Sequence, residues 1–273
     1  MKKERYGIAE WFGNPFLRMP AELRQSLARA SLGHAEPPPC PFQRGNPVCS
    51  KKGGVCSIQS GDNPPVITCP RRFDDDDLLP KWLAGILGFS NVYLAREVPF
   101  MRSPSTGRAA GRIDLVVSGD DDAKSWIGLE VQAVYFSGKG MRADFELLLE
   151  NTDAVPPPPT ALRRPDWRSS SAKRLMPQLQ VKGPTLRRWG TKLAVAVDLP
   201  FFEAIGGPTE TPSQDLNDGD IVWLVPRIAD DYRLEAHHWE VLSLEDSNDR
   251  LLSAETVKRQ EFEDVLRSKL KRI

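Results

Sequence analysis

The chain has 273 residues, 40% of them apolar, with 37 Lys and Arg balancing 37 Asp and Glu. That length buries a sizeable core, as one large domain or as a catalytic domain with a small appendage. No run is long and apolar enough to span a bilayer, and the opening MKKERYGIAEWFG lacks the apolar stretch of a signal peptide, so a cytoplasmic protein without a membrane partner is expected.

In chain order, Met1 to Gly33 is an amphipathic opening. Pro20 precedes AELRQSLARASLG, which predicts a helix ending at Gly33, with Leu23 and Leu27 on one face. His34 to Pro70 changes character. It is rich in Pro and Gly, poor in periodicity, and contains every cysteine: Cys40, Cys49, Cys56 and Cys69. Four cysteines in one loop-rich segment of a cytosolic-type chain favour a shared metal over disulfides. Thiolates suit Zn²⁺ or iron in a tetrahedral sulfur site, and such a site orders a segment with too little core of its own. Residue types alone favour zinc, although no CxxC is present; two disulfides or four unrelated thiols are the alternatives.

The acids Asp74 to Asp77 then precede LLPKWLAGILGF, where they favour a helix N-terminus. Asn91 to Phe100 reads as a strand with Glu97 near its end. Arg112 to Val117 and Trp126 to Phe136 read as two strands of a hairpin, joined by SGDDDAKS. Asp114 lies in the first. Glu130 and Gln132 lie two apart in the second, hence on one face. Acids are rare among apolar strand residues unless paired or metal-bound. The hairpin can bring Asp114 beside Glu130 and Gln132, a candidate oxygen site for Mg²⁺. Strand acids satisfied locally are the bland alternative.

After a helical pattern from Met141 to Asp153, four prolines at 156 to 159 begin an extended linker. The segment from Arg163 to Lys192 then carries nine Lys and Arg residues against one acid. Lys173, Arg174 and Lys182 are candidates for phosphate contacts. Gln178, Gln180, Arg187 and Arg188 could also read base edges. Lys192 to Leu199 predicts a buried strand. Ile221 to Ile228 and Leu234 to Leu244 predict two more, and Ala254 to Leu270 an amphipathic helix for the core or a dimer contact.

Asp114 followed by Glu130-x-Gln132 resembles the PD-(D/E)xK nuclease pattern with Gln in place of the terminal Lys. The strings LEVQAVYFSG and RSSSAKRLMPQLQVKGPTLRRWGTK resemble one branch of it, the NotI-type restriction endonucleases, from about Trp11 to Phe201. The resemblance implies an α/β (α+β) fold: a nuclease core of order αβββαβ, its mixed central sheet flanked by helices. A four-cysteine metal module would occupy residues 1–72. The nuclease domain would span 73–273 and include the basic segment 161–192. It implies a type II restriction endonuclease, a homodimer hydrolysing double-stranded DNA at a palindromic site. Mg²⁺ would sit on Asp114 and Glu130, with Glu97 as a third acid and Gln132 orienting the attacking water. Activation would come from the metal or from a nearby Lys such as Lys139. It also implies iron, rather than zinc, on the four cysteines. The competing readings are a non-catalytic nucleic-acid-binding protein and a repair or defence nuclease without fixed sequence preference.

Overall fold

The computed structural model describes residues 5–252 and 257–271. The N-terminal part builds a small antiparallel sheet. Strand β1 (Gly7–Trp11) turns into β2 (Asn14–Pro15), helix α1 (Ala21–Leu32) follows, and β3 (Val55–Gln59) and β4 (Val66–Ile67) complete the order β2-β1-β3-β4. Helix α1 forms as its sequence predicts. Gly33 ends it at φ 80, the left-handed conformation that a residue without Cβ adopts freely. Strand β1 lies in the opening, where no strand is expected. Likewise β3 and β4 lie inside the segment that composition marks as loop. Their apolar residues, Ile8, Trp11, Val55, Ile58 and Val66, are buried in the main core, so tertiary packing overrides the weak local signal.

Helix α2 (Leu78–Ile86) leads into the central sheet. Long strands β5 (Tyr93–Arg102) and β6 (Ala109–Ser118) form a hairpin, and β7 (Trp126–Val131) pairs antiparallel with β6. A short pair follows, β8 (Phe136–Gly138) with β9 (Arg163–Pro165), separated by helix α3 (Arg142–Glu150). Helices α4 (Trp167–Ser170) and α5 (Met176–Arg188) cross to β10 (Leu193–Ala196), which lies parallel to β7. Helix α6 (Leu199–Ala204) then returns the chain to β11 (Ile221–Ile228), parallel to β10, and to β12 (Leu234–Leu242), antiparallel at the edge. Helices α7 (Leu244–Leu252) and α8 (Arg259–Lys269) close the chain.

The resulting six-stranded mixed sheet has order β12-β11-β10-β7-β6-β5. Its helix, three strands and later parallel strand follow the order expected of the nuclease core. Both faces are covered. Leu79 and Leu83 of α2 pack on Leu115, Ile127, Leu129 and Ala194. Leu179 and Leu186 of α5, with Phe201 and Phe202 of α6, pack on Leu193, Val195 and Trp223. Strand β10, LAVA, is buried throughout, as the middle strand of a sheet covered on two sides must be. Among the described residues no helix is long and apolar enough to cross a membrane.

Three features depart from the sequence reading. The run Trp126 to Phe136 is not one strand but stops at Val131, where the Gln132 N–H turns to the Ala196 carbonyl and the Val134 N–H to the Ile67 carbonyl. The basic segment is largely helical. Asp74 to Asp77 precede α2 as expected; they lie in a kinked 3₁₀ turn and their side chains pair with Arg71, Arg72, Arg96, Arg44 and Lys81. The C-terminal helix starts at Arg259 within the described residues, and the expected start at Ala254 lies outside them.

The N-terminal sheet is joined to the central one through Asp198. This fully buried carboxylate caps α6 by accepting the Phe201 N–H at 3.3 Å and reaches across to accept the Ile67 N–H at 2.6 Å. Asp198→Ala leaves both donors without that partner, and is expected to lower unfolding free energy by roughly 2–4 kcal/mol in a urea titration. Asp198→Asn, which keeps one acceptor oxygen, should cost less.

Candidate active site

The β6–β7 ladder ends with the pair Leu115 and Leu129. Beyond it, side chains take over the backbone donors. The Val131 N–H donates to Asp114 Oδ2 at 3.0 Å, and the Asp114 N–H to Glu130 Oε1 at 3.4 Å. Two strand acids thus stand side by side where the strands part. Glu130 is buried and Asp114 half-buried. A third group joins them from α5: Lys182 Nζ lies 2.6 Å from Glu130 Oε1. The ammonium does not cancel the crowding of the two acids. Burial first, and then the Asp114 charge, pushes the Glu130 carboxyl up to about 7. Burial raises Asp114 as well, against the Val131 hydrogen bond and the Lys182 charge.

These groups line a cleft of about 780 Å³. Glu97 and Gln132 line it too. The β5–β6 register sets Glu97 opposite Asp114, between the pairs Arg96–Leu115 and Val98–Ile113. Glu97 has φ 53, its side chain is exposed, and its carboxylate is 3.8 Å from Arg112. Gln132 lies just past the end of β7 and its amide N–H donates to the Ala133 carbonyl at 2.5 Å. A larger hollow of about 1210 Å³ is lined by Asp75, Asp76 and the β11–β12 turn, and holds none of the candidate catalytic, metal-binding or DNA-binding residues.

The basic segment supplies another wall. Lys173, Arg174 and Gln178 line the cleft, and the Arg174 guanidinium lies 3.6 Å over the Tyr135 ring. The helix widens into a π turn at Ser171–Leu175, where the Met176 N–H reaches back to the Ser171 carbonyl. Pro177 explains it: with no N–H, it leaves the Lys173 carbonyl without its usual partner four residues on. The remaining candidates are placed elsewhere. Gln180 is exposed on α5 outside the cleft lining. Arg187 and Arg188 sit at the far end of α5, Arg187 against Asp220 and Glu245, and Arg188 on Thr185. Lys139 is exposed and also outside the lining. Lys182 is not a surface cation but is 2% exposed and engaged with Glu130. Its proximity to the acids is the feature that sequence reasoning missed. The available signal was spacing, because Arg174, Gln178 and Lys182 recur every four residues.

The four cysteines carry no disulfide. Cys40, Cys56 and Cys69 are buried, and Cys40, Cys49 and Cys69 line the same cleft. Burial raises the Cys49 thiol, and the neighbouring Cys40 and Cys69 raise it further; Cys56 is raised by burial and then by Cys69. The thiols therefore lie within electrostatic reach of one another. Among the described residues, no group of three or more His, Cys, Asp or Glu side chains is arranged to hold a metal ion. The four-cysteine metal module expected from composition is thus represented by four reduced, neighbouring thiols.

A family model described as restriction endonuclease NotI matches residues 22–239. No curated protein matches the chain.

The acid pair makes stability depend on pH. In the unfolded chain Glu130 ionises near its ordinary value of 4.5, whereas in the folded chain it keeps its proton to about 7. The folded state therefore binds more protons in that window, and stability falls as pH rises through it. In chelator-containing buffer, denaturant unfolding at about pH 5 and about pH 8 should show this loss. Glu130→Gln should show a smaller one, while the share due to Asp198, also pushed up to about 7, persists in both. An equal loss in both proteins would contradict the assignment.

Proposed function

Because the chain belongs to the NotI restriction endonuclease family, matching its model over residues 22–239, we propose that it is a Mg²⁺-dependent type II restriction endonuclease. Its substrate is double-stranded DNA, hydrolysed at a specific palindromic site. The observation that carries this reading is the pairing of Asp114 with Glu130 in a cleft walled by Lys173, Arg174 and Lys182. Two like charges held together against burial fit a divalent cation. They leave most of an octahedral shell to water and phosphate oxygens.

In this reading Asp114 and Glu130 hold Mg²⁺, which supplies charge stabilisation at the phosphate and a more acidic water. The Val131 N–H fixes Asp114 and the Lys182 ammonium fixes Glu130, so both carboxylates are oriented before substrate arrives. Gln132 spends an amide N–H on Ala133, leaving its carbonyl oxygen as the acceptor for the attacking water. A neutral amide orients that water without taking its proton. Glu97 adds a third acid beside Asp114. Lys173, Arg174 and Gln178 receive the DNA backbone along the cleft. Arg187, Arg188 and Gln180 lie outside the cleft lining, so any base contact they make is to DNA beyond the cleft.

The four thiols are proposed to share one iron, with zinc as the alternative, drawn together when the ion binds. The donor set suits either metal. Purified protein should contain about one equivalent of iron or zinc per chain, and any single Cys→Ser change should lower metal content and melting temperature together. Four freely titratable thiols with no transition metal would contradict this. A homodimer fits a palindromic site, and α8, with Phe262, Val265 and Leu266 exposed, offers one apolar surface for a second copy.

Two measurements test the main reading. Asp114→Asn and Glu130→Gln should abolish cleavage of plasmid DNA in Mg²⁺ while DNA binding in Ca²⁺ persists; full cleavage by either variant would remove the hairpin from the chemistry. Lys173→Ala should weaken binding to all DNA alike and lower the steepness of its salt dependence by about one ion.

A further inference from the structure

The cleft contains a cation that the strand pattern does not provide. Where the resembled pattern ends in Lys, this chain has Gln132, a neutral amide bonded to the neighbouring carbonyl of Ala133. The ammonium arrives from a helix. Lys182 Nζ is 2.6 Å from Glu130 Oε1, with the side chains 3% and 4% exposed respectively. Asp114 feels the same charge.

Helix α5 is built to hold it there. Leu179 and Leu186, on either side of Lys182 in sequence, are wholly buried and press the helix onto the sheet. At Gly183 an added Cβ would meet Leu244 Cδ1 at 2.8 Å, so glycine lets α5 sit close to α7. An ammonium at this depth is costly unless paired. It carries three N–H donors, of which Glu130 takes one. Since Lys182 also lines the cleft, the others can meet a water or a phosphate oxygen there.

We propose that Lys182 is the positive group of the cleavage site, delivered by α5 in place of the strand lysine that Gln132 replaces. It stays beside Glu130, at some cost in metal affinity, and presents its remaining N–H groups to the scissile phosphate. This rests on the nuclease reading above.

The test uses the full-length protein with plasmid DNA, and compares Lys182→Met, Lys182→Gln and the double variant Lys182→Met with Gln132→Lys. Lys182→Gln keeps a hydrogen bond to Glu130 without the charge, and thermal melts verify that each variant folds. Cleavage in Mg²⁺ should fall by about 100-fold or more in both single variants, the scale of losing one preorganised donor. Ca²⁺ binding measured by calorimetry should become tighter, because a positive charge beside the carboxylates is gone. Gln132→Lys should restore part of the cleavage lost in Lys182→Met, by returning the ammonium from the strand. A purely structural ion pair predicts otherwise: metal binding and cleavage would fall together, and a strand lysine would repair neither. That pattern, wild-type cleavage by Lys182→Met, or no rescue by Gln132→Lys, would overturn the role of Lys182 and leave the nuclease reading standing. Wild-type protein that cuts no DNA in Mg²⁺ or Mn²⁺ would overturn the nuclease reading itself, and this proposal with it.

Discussion

Two carboxylates cannot share a buried corner without a compensating charge, and much of the architecture around Asp114 and Glu130 follows from that constraint. The ladder between β6 and β7 gives way at Leu115 and Leu129, and the carboxylates take over the freed N–H groups. Each acid thereby gains a donor, but neither gains enough to offset burial, as the raised Glu130 carboxyl records. Lys182 supplies one positive charge to two negative ones. The remaining imbalance is what a divalent cation would meet. An acid pair of this kind weakens the metal-free fold, a local cost in stability that functional sites commonly carry.

The elements around the pair can be understood by what they hold in place. Helix α5 brings Lys182 inward and Gln178 to the rim, and the π turn forced by Pro177 presents Lys173 and Arg174 to the same hollow. The cysteine segment also lines the cleft, through Cys40, Cys49 and Cys69. That segment is anchored to the sheet by polar contacts as well as by apolar ones. Asp198 grips the Ile67 N–H, and the wholly buried Arg72 pairs with Glu10 of β1 at 2.9 Å while reaching Asp75 and the Tyr232 carbonyl. The N-terminal sheet and the central sheet share one apolar core, so the cleft lies between parts that cannot readily move apart.

Much of this was legible in the sequence. Helix α1 announced itself by Pro20 and Gly33, the hairpin by β-branched runs on either side of SGDDDAKS, and β10 to β12 by apolar runs. Asp114, Glu130 and Gln132 were readable because acids and amides are out of place in such strands. What was not legible depended on distant partners. The strand end at Val131 comes from Ala196 and Ile67 drawing the chain away. Asp74 to Asp77 were readable as acids ahead of a helix, but not as partners of Arg44 and Arg96, which lie far along the chain. Strand β1 had too little local pattern to separate it from a helical lead. Lys182 counted as one basic residue among nine, and only the fold distinguishes a buried ammonium on a carboxylate from an exposed one awaiting a phosphate. Arg163 was hidden in the same way: it is buried against Asp144 and the Lys139 and Gly140 carbonyls.

The central claim is that the Asp114 and Glu130 pair is the seat of a divalent cation, with Lys182 a lasting member of the site and no mere occupant of the metal's place. The most direct measurement is a crystal structure of the protein grown with Mn²⁺, located by its anomalous scattering. The account predicts one Mn²⁺ coordinated by Asp114 and Glu130 at the cleft, with Lys182 still within hydrogen-bond distance of Glu130. Manganese bound only at other acids, such as those of the Asp75 and Asp76 hollow, or bound to Glu130 with Lys182 expelled from the carboxylate, would contradict it.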